Sequence, residues 1–241
     1  MITLGRKHLY MTIDTETCGD FRKPLVYDLG VAIHDRHGNI VESHSWVIRE
    51  VFYGRPRKMK TAYYAEKLPL YHEGIKTKTW EVVSLFKARA EMLKMLSKYN
   101  IKAVIAYNAA FDRKALNCTM AEFSKFGTDH FFPDSVVFWD SWGMACETIL
   151  QHKAYYKKAY AGMWISDCGN CKTSAEMAYR YISKNNEFIE QHTALADVLI
   201  EVEIFAKVMR QKKKTKREIF GNPWKLPQPG FYHYVATMTG G

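Results

Sequence analysis

Leu9-Tyr-Met-Thr-Ile-Asp-Thr-Glu-Thr-Cys-Gly19 decides the fold: an apolar, β-rich run that ends in two carboxylates and a glycine turn. Side chains alternate along a strand, so Asp14 and Glu16 project to the same side and bring two negative charges close together. Such a pair repels itself unless a cation lies between its members, or unless both acids are simply solvated at a strand end. Partners elsewhere in the chain distinguish these two cases.

Working outward, Val26-Tyr-Asp-Leu-Gly-Val-Ala-Ile33 and Ile40-Val-Glu-Ser-His-Ser-Trp-Val-Ile48 are further β-rich runs, separated by the turn signal Asp35-Arg-His-Gly-Asn39. The three strands form an antiparallel meander. Arg49 to Lys78 then interleaves Arg55, Arg57, Lys58, Lys60, Lys67, Lys76 and Lys78 with Phe52, Tyr53, Tyr63, Tyr64 and Tyr71. Cations for phosphates and aromatic faces for bases suit a single-stranded nucleic acid, with Tyr63 and Tyr64 as candidate contacts. The competing reading is a surface excursion whose tyrosines pack down.

Thr79 caps a predicted helix that runs to about Lys98, with Arg89 interrupting its apolar stripe. Ile101 to Ala106 is a short buried strand, and the helix before it suits a crossover that sets it parallel. A helix from Asp112 to about Phe126, a fifth strand at Val136–Asp140 and a helix from Ser141 to about Leu150 follow. Gln151 to Asn170 is polar, tyrosine-rich and without an assignable element. Thr173 and Glu176 form a capping box for a helix to about Ser183, and a last long helix spans Thr193 to Arg210. The expected architecture is therefore α/β: a mixed five-stranded sheet, three antiparallel strands and then parallel ones, flanked by helices. Residues 1–210 make one domain. Residues 211–241 make a basic C-terminal tail that holds Lys212-Lys-Lys-Thr-Lys-Arg217, Pro223, Pro227, Pro229 and a closing Gly240-Gly241.

Among 241 residues Lys and Arg number 35 against 25 Asp and Glu, a formal charge of +10 that favours an anionic partner such as nucleic acid. Five irregularly spaced cysteines do not form a secreted disulfide framework. Arg6, Lys7 and His8 leave no apolar signal-peptide core, and no run reaches membrane-spanning length. A soluble protein of the reduced cytoplasm, or of the host cytoplasm if virus-encoded, is expected. Cys168-Gly-Asn-Cys171 has metal-ligand spacing but no second pair; His152 and Asp167 are the conceivable complements, and loop cysteines are the preferred reading.

Asp112 follows a second strand and Asp197 lies early in the final helix, so four acids stand at strand ends or beside them, where sites gather in open α/β sheets. Ile200, Ile204 and Val208 share the side of Asp197, so that side is not plain solvent. Four carboxylates meeting without metal would mostly protonate. Two Mg²⁺ or Mn²⁺ ions, about 3.5–4 Å apart, would neutralise them and support in-line phosphoryl displacement. His192 precedes Asp197 by five residues, which on a helix would point the two apart, so His192 is expected in the loop, free to swing over the site. Its imidazole could accept the proton of an attacking water.

Asp14-Thr-Glu16, Asn108-Ala-Ala-Phe-Asp112 and His192-Thr-Ala-Leu-Ala-Asp197, in that order, resemble the three motifs of the DnaQ-like, or DEDDh, 3′→5′ exonuclease family, whose fold is ribonuclease H-like. The resemblance covers Leu9 to about Arg210. It implies Asp14, Glu16, Asp112 and Asp197 as ligands of two divalent ions and His192 as general base. It also implies that Thr15 and the turn Thr17-Cys18-Gly19 meet the terminal nucleotide, with Asn108 and Phe111 helping to form the site. Cys18, Thr193 and Tyr107 depart from the family's usual Thr or Ser, Arg and His.

The implied reaction is metal-dependent hydrolysis at a nucleic acid 3′ end, single-stranded DNA for preference, releasing nucleoside 5′-monophosphates. An exoribonuclease acting on RNA tails or short oligoribonucleotides is the alternative enzyme. A non-catalytic nucleic-acid-binding module on the same fold is the alternative of another class, and four acids beside phosphates speak against it. A polymerase or another replication protein is a candidate partner; a membrane is not.

Overall fold

The computed structural model describes residues 8–125, 127, 129–219 and 221–227. Arg6, Lys7, Phe126, Pro229 and Gly240-Gly241 lie outside the described residues. The meander forms as expected from β1 (Leu9–Cys18), β2 (Leu25–Asp35) and β3 (Ile40–Ile48), both pairings antiparallel. The register sets Asp14 opposite Gly30 and Glu16 opposite Asp28, with an irregularity between Glu16 and Thr17. Short helices α1 (Arg49–Phe52), α2 (Pro56–Met59) and α3 (Leu68–Lys76) carry the excursion.

The sheet holds six strands rather than five. Glu81–Val83 is β4, parallel to β3, and α4 (Leu85–Lys98) begins only after Ser84, whose side chain accepts from the Lys87 N–H. A strand of this length has no room to display a period of two, so Val82 passes for the start of a helical stripe. Arg89, which interrupts that stripe, donates to the Phe131 carbonyl at 2.6 Å.

The remaining elements are β5 (Val104–Ala106), α5 (Ala109–Phe123), β6 (Phe138–Asp140), α6 (Ser141–Glu147), α7 (Lys153–Ala161), α8 (Ala175–Ser183) and α9 (Ala194–Met209). Strand order is β4-β3-β2-β1-β5-β6, with β5 parallel to β1 and β6 parallel to β5. Helix α7 and an Ile165–Cys171 bridge occupy the stretch that the sequence left unassigned. The cap of α8 is Ser174, accepting from Met177, one residue beyond the expected Thr173. Thr173 instead accepts from the Trp142 indole at 2.9 Å.

One core, with Leu29, Phe52, Tyr71, Met92 and Phe131, fills the α4–α5 face of the sheet; the other, with Tyr10, Ile149, Tyr155 and Phe205, fills the α6–α9 face. β2 is buried along its whole length, as a strand covered on both faces must be. Gly30 admits the start of α9: a Cβ there would lie 2.3 Å from the Ala194 carbonyl carbon.

Beyond α9, the described part of the basic segment lies along α6. The Arg217 carbonyl accepts from the Asp140 N–H at 3.0 Å. The Arg217 guanidinium covers Trp139, and Lys213 donates to the Glu147 carbonyl at 2.7 Å. Cys168 is exposed and Cys171 buried, and among the described residues no grouping of metal-ligand atoms includes either. No helix among the described residues is long and apolar enough to cross a membrane.

Candidate metal centre and active site

The acids reach one place because β1 and β5 run parallel as neighbours and α9 starts on top of β2. Asp14 and Glu16 sit near the C-terminal end of β1, and Asp112 lies in the first turn of α5, just past β5. Asp197 lies in the first turn of α9. The charges bearing on Asp14 are those of Asp112, Glu201, Glu16 and Asp197. Glu16, His192 and Asp197 offer ligand atoms within 4.8 Å of one another.

Glu16, Asp112 and Asp197 are 8%, 2% and 5% exposed. Burial first, then the neighbouring Asp197 and Asp28 carboxylates, push the pKa of Glu16 up to about 9. Burial and Glu190 push Asp197 up to about 8. Asp112 rises to about 7 by burial, held back by its bond from Thr15. Asp14 rises well above the carboxylate range for the same two reasons, burial and like charge. Without a cation these groups hold protons near neutrality. All-oxygen donors with this unmet demand for positive charge, beside one imidazole, fit a hard divalent ion such as Mg²⁺ or Mn²⁺.

Two acids that the motifs did not single out belong to the same place. Glu201, one turn beyond Asp197, is 3% exposed, accepts from the Tyr107 N–H at 3.2 Å and raises the proton affinity of Asp14. Its spacing of four from Asp197 was the available signal. Asp28 is fully buried; its Oδ2 accepts from the Tyr71 hydroxyl at 2.6 Å and the Ala194 N–H at 2.9 Å, while Oδ1 has no partner. Nothing local distinguishes Asp28 from an ordinary strand residue. Asp140 caps α6, accepting from the Trp142 and Gly143 N–H groups, and also receives the Asn108 N–H at 3.3 Å.

His192 lies in the loop before α9, as its spacing requires, with a left-handed backbone (φ 49°). That conformation costs a residue with a Cβ about 1–2 kcal/mol and needs outside support. Lys67 supplies it, donating to the Gln191 and His192 carbonyls. The His192 ring stacks on Tyr64, centroids 4.3 Å apart and planes at 14°, and its Nδ1 is 3.9 Å from a Glu190 carboxylate oxygen. Burial, then the Lys67 charge, lower the His192 pKa, which favours the neutral, basic imidazole.

The expected substrate contacts divide. Thr15 is buried and donates to Asp112 at 2.8 Å, so its hydroxyl serves a carboxylate. Cys18 is 3% exposed within the apolar core and is not presented. Tyr64 has one face covered by His192. Thr17 is half-buried at the irregular strand end, and Asn108 precedes α5 with φ 77°. Phe111 stacks at 6.4 Å on Phe21, an exposed ring with the Lys114 ammonium over it at 5.2 Å. Tyr63 is 86% exposed. The aromatic residues of the excursion therefore divide: Phe52 and Tyr71 pack down, whereas Tyr53 and Tyr63 face outward.

No protein-family model matches the chain, and no curated protein does. Among solved structures, E. coli exonuclease I in complex with a 5cy-dT13 oligonucleotide is 13% identical, with a TM-score of 0.47 over 82% of this chain and 40% of that one. The zinc-bound form of the E. coli ExoI–ssDNA complex is 12% identical, with a TM-score of 0.48 over 96% of this chain and 43% of that one. The ExoI/SSB-Ct complex gives 13%, 0.48, 85% and 42% in the same order. The chain spans less than half the length of these proteins, and likeness of this degree establishes neither family nor activity for it.

Proposed function

We propose that the chain is a metal-dependent 3′→5′ exonuclease of the DnaQ-like kind, acting on single-stranded DNA for preference. One observation carries the reading: Asp14, Glu16, Asp112 and Asp197, from three separate segments, converge as buried or half-buried acids whose proton affinity is raised by desolvation and by neighbouring carboxylates. A pure binding module gains nothing by collecting negative charge beside phosphates.

Asp14, Glu16, Asp112 and Asp197 would hold two divalent cations. Bound there, the cations supply Lewis acidity, a more acidic water and neutralisation of the phosphate charge. His192 takes a proton from the attacking water at its imidazole. Asn108, Phe111 and Thr17 border the place of the terminal nucleotide, and the exposed Phe21 and Tyr63 rings offer stacking faces to a single strand. Residues 1–210 form the catalytic unit and residues 211–241 a basic accessory segment.

Purified protein with Mg²⁺ or Mn²⁺ is expected to shorten 3′-hydroxyl oligonucleotides and release nucleoside 5′-monophosphates. Asp14→Ala abolishes the shortening; cleavage undiminished in that variant overturns the assignment. Matched DNA and RNA strands of equal length decide between the deoxyribonuclease and ribonuclease forms of the reading.

A further inference from the structure

We propose that Lys67 is a positioning residue for His192, and that the 64–71 segment acts as a brace that sets the His192 loop; the proposal rests on the exonuclease reading for its catalytic meaning. Two side chains of the segment reach the loop, and a third reaches the start of α9 through Asp28. Tyr64 lies flat against the His192 ring. Lys67 donates to the carbonyls on either side of the left-handed His192 backbone's N–H, those of Gln191 and of His192 itself. Tyr71 donates to Asp28, and the same Asp28 oxygen accepts from the Ala194 N–H, the first residue of α9.

Tyr64 and Lys67 bracket a 3-10 turn over Ala65–Lys67 that runs directly into α3, which carries Tyr71. The contacts span Gln191 to Ala194, the whole approach to the helix that carries Asp197. A loop residue in a left-handed conformation persists only where its surroundings over-determine it, and these contacts do so. Lys67 has its ammonium turned to backbone carbonyls, which is the arrangement of a tether.

The test is a double-mutant cycle on the full chain, with Mg²⁺ and a single-stranded 3′-hydroxyl oligonucleotide. Lys67→Met is expected to lower kcat about tenfold or more, with KM changed by less than about threefold, and Lys67→Arg, which keeps a donor, is expected to recover most of the loss. In a His192→Ala background, Lys67→Met is expected to cost nothing further. A raised KM at unchanged kcat makes Lys67 a phosphate contact and overturns the proposal, as does a full additional loss in the His192→Ala background. A second readout needs no activity. In the metal-free protein the His192 ring resonances, assigned by their absence in His192→Ala, carry the ring-current shift of Tyr64. Lys67→Met is expected to move them toward free-histidine positions, and unmoved resonances overturn the brace. Absence of metal-dependent cleavage in the unaltered protein refutes the exonuclease reading alone, since the resonances still decide the brace.

Discussion

The two ends of the β1–β2 ribbon handle carboxylates in opposite ways. At the end where β2 turns into β3, Asp35 accepts from the His37 N–H at 2.8 Å, the Asn39 N–H at 3.1 Å and the Asn39 side-chain amide at 2.9 Å. Burial pushes its pKa up, but these bonds outweigh burial and leave it below the usual value. At the other end, Glu16 and Asp14 face Asp112, Asp197 and Glu201, and burial and mutual repulsion carry them far the other way. A structural acid is recognised by the donors that surround it. A functional one is recognised by a charge that the fold gathers and leaves for a ligand to complete.

The sharpest way to break this contrast is at the glycines that accompany each end. Gly30→Ala is expected to cost about 3 kcal/mol in urea unfolding, because neither strand nor helix backbone can give way, whereas Gly38→Ala costs about 1 kcal/mol for its left-handed φ. A Cβ at Gly30 meets the Ala194 backbone at 2.3 Å; at Gly38 (φ 89°) it meets a side-chain methyl at 3.2 Å. Equal losses at the two sites would remove the claim that Gly30 fixes the docking of α9.

Next in size is the response to pH. Glu16, Asp197 and Asp112 bind protons more tightly folded than unfolded, with folded values of about 9, 8 and 7. Their contribution to stability is therefore complete below the ordinary carboxylate range and is lost as pH rises through those values. Metal-free protein is expected to lose stability progressively between about pH 5 and about pH 9. Mn²⁺ is expected to flatten that slope, read as Tm across the range with EDTA or with metal. A slope of the opposite sign, or one indifferent to metal, contradicts the picture of an acidic cluster that the Lys67 charge compensates only in part.

The smallest effects carry the clearest sign test. Asp35→Ala is expected to lower stability by about 1.5 kcal/mol through its abandoned donors. Asp14→Asn is expected to raise that of the metal-free protein by about 1 kcal/mol while ending cleavage, the usual exchange of stability for function. Thermal melts of both variants in EDTA decide it.

Much of the acidic cluster is legible from Asp14-Thr-Glu16, because alternation along a strand is a local rule, and the loop position of His192 from its distance to Asp197, which excludes a shared helical face. Asp112 and Asp197 were found by their positions relative to predicted elements. Glu201 was passed over although it stands one turn from Asp197, because the surrounding Ile and Val residues read as core. Asp28 could not have been found: its partners, Tyr71 and Ala194, are 43 and 166 residues away. Thr15 and Cys18 show the reverse: a motif position names a residue without saying which way its side chain is spent, and here one bonds Asp112 and the other packs in the core. β4 was lost because a strand of three residues shows no period.

By itself, then, the sequence determined the meander, the order of the acids along the chain, the helices that follow β5 and β6 and the loop position of His192. All of these follow from interactions among residues close in the chain. Only the tertiary structure decided that the acids meet, that Glu201 joins them, that Gly30 and Asp28 seat α9, and that Lys67 and Tyr64 hold His192. Burial, proton affinity and support of a strained backbone depend on groups brought near from distant segments, and no local spacing encodes their approach.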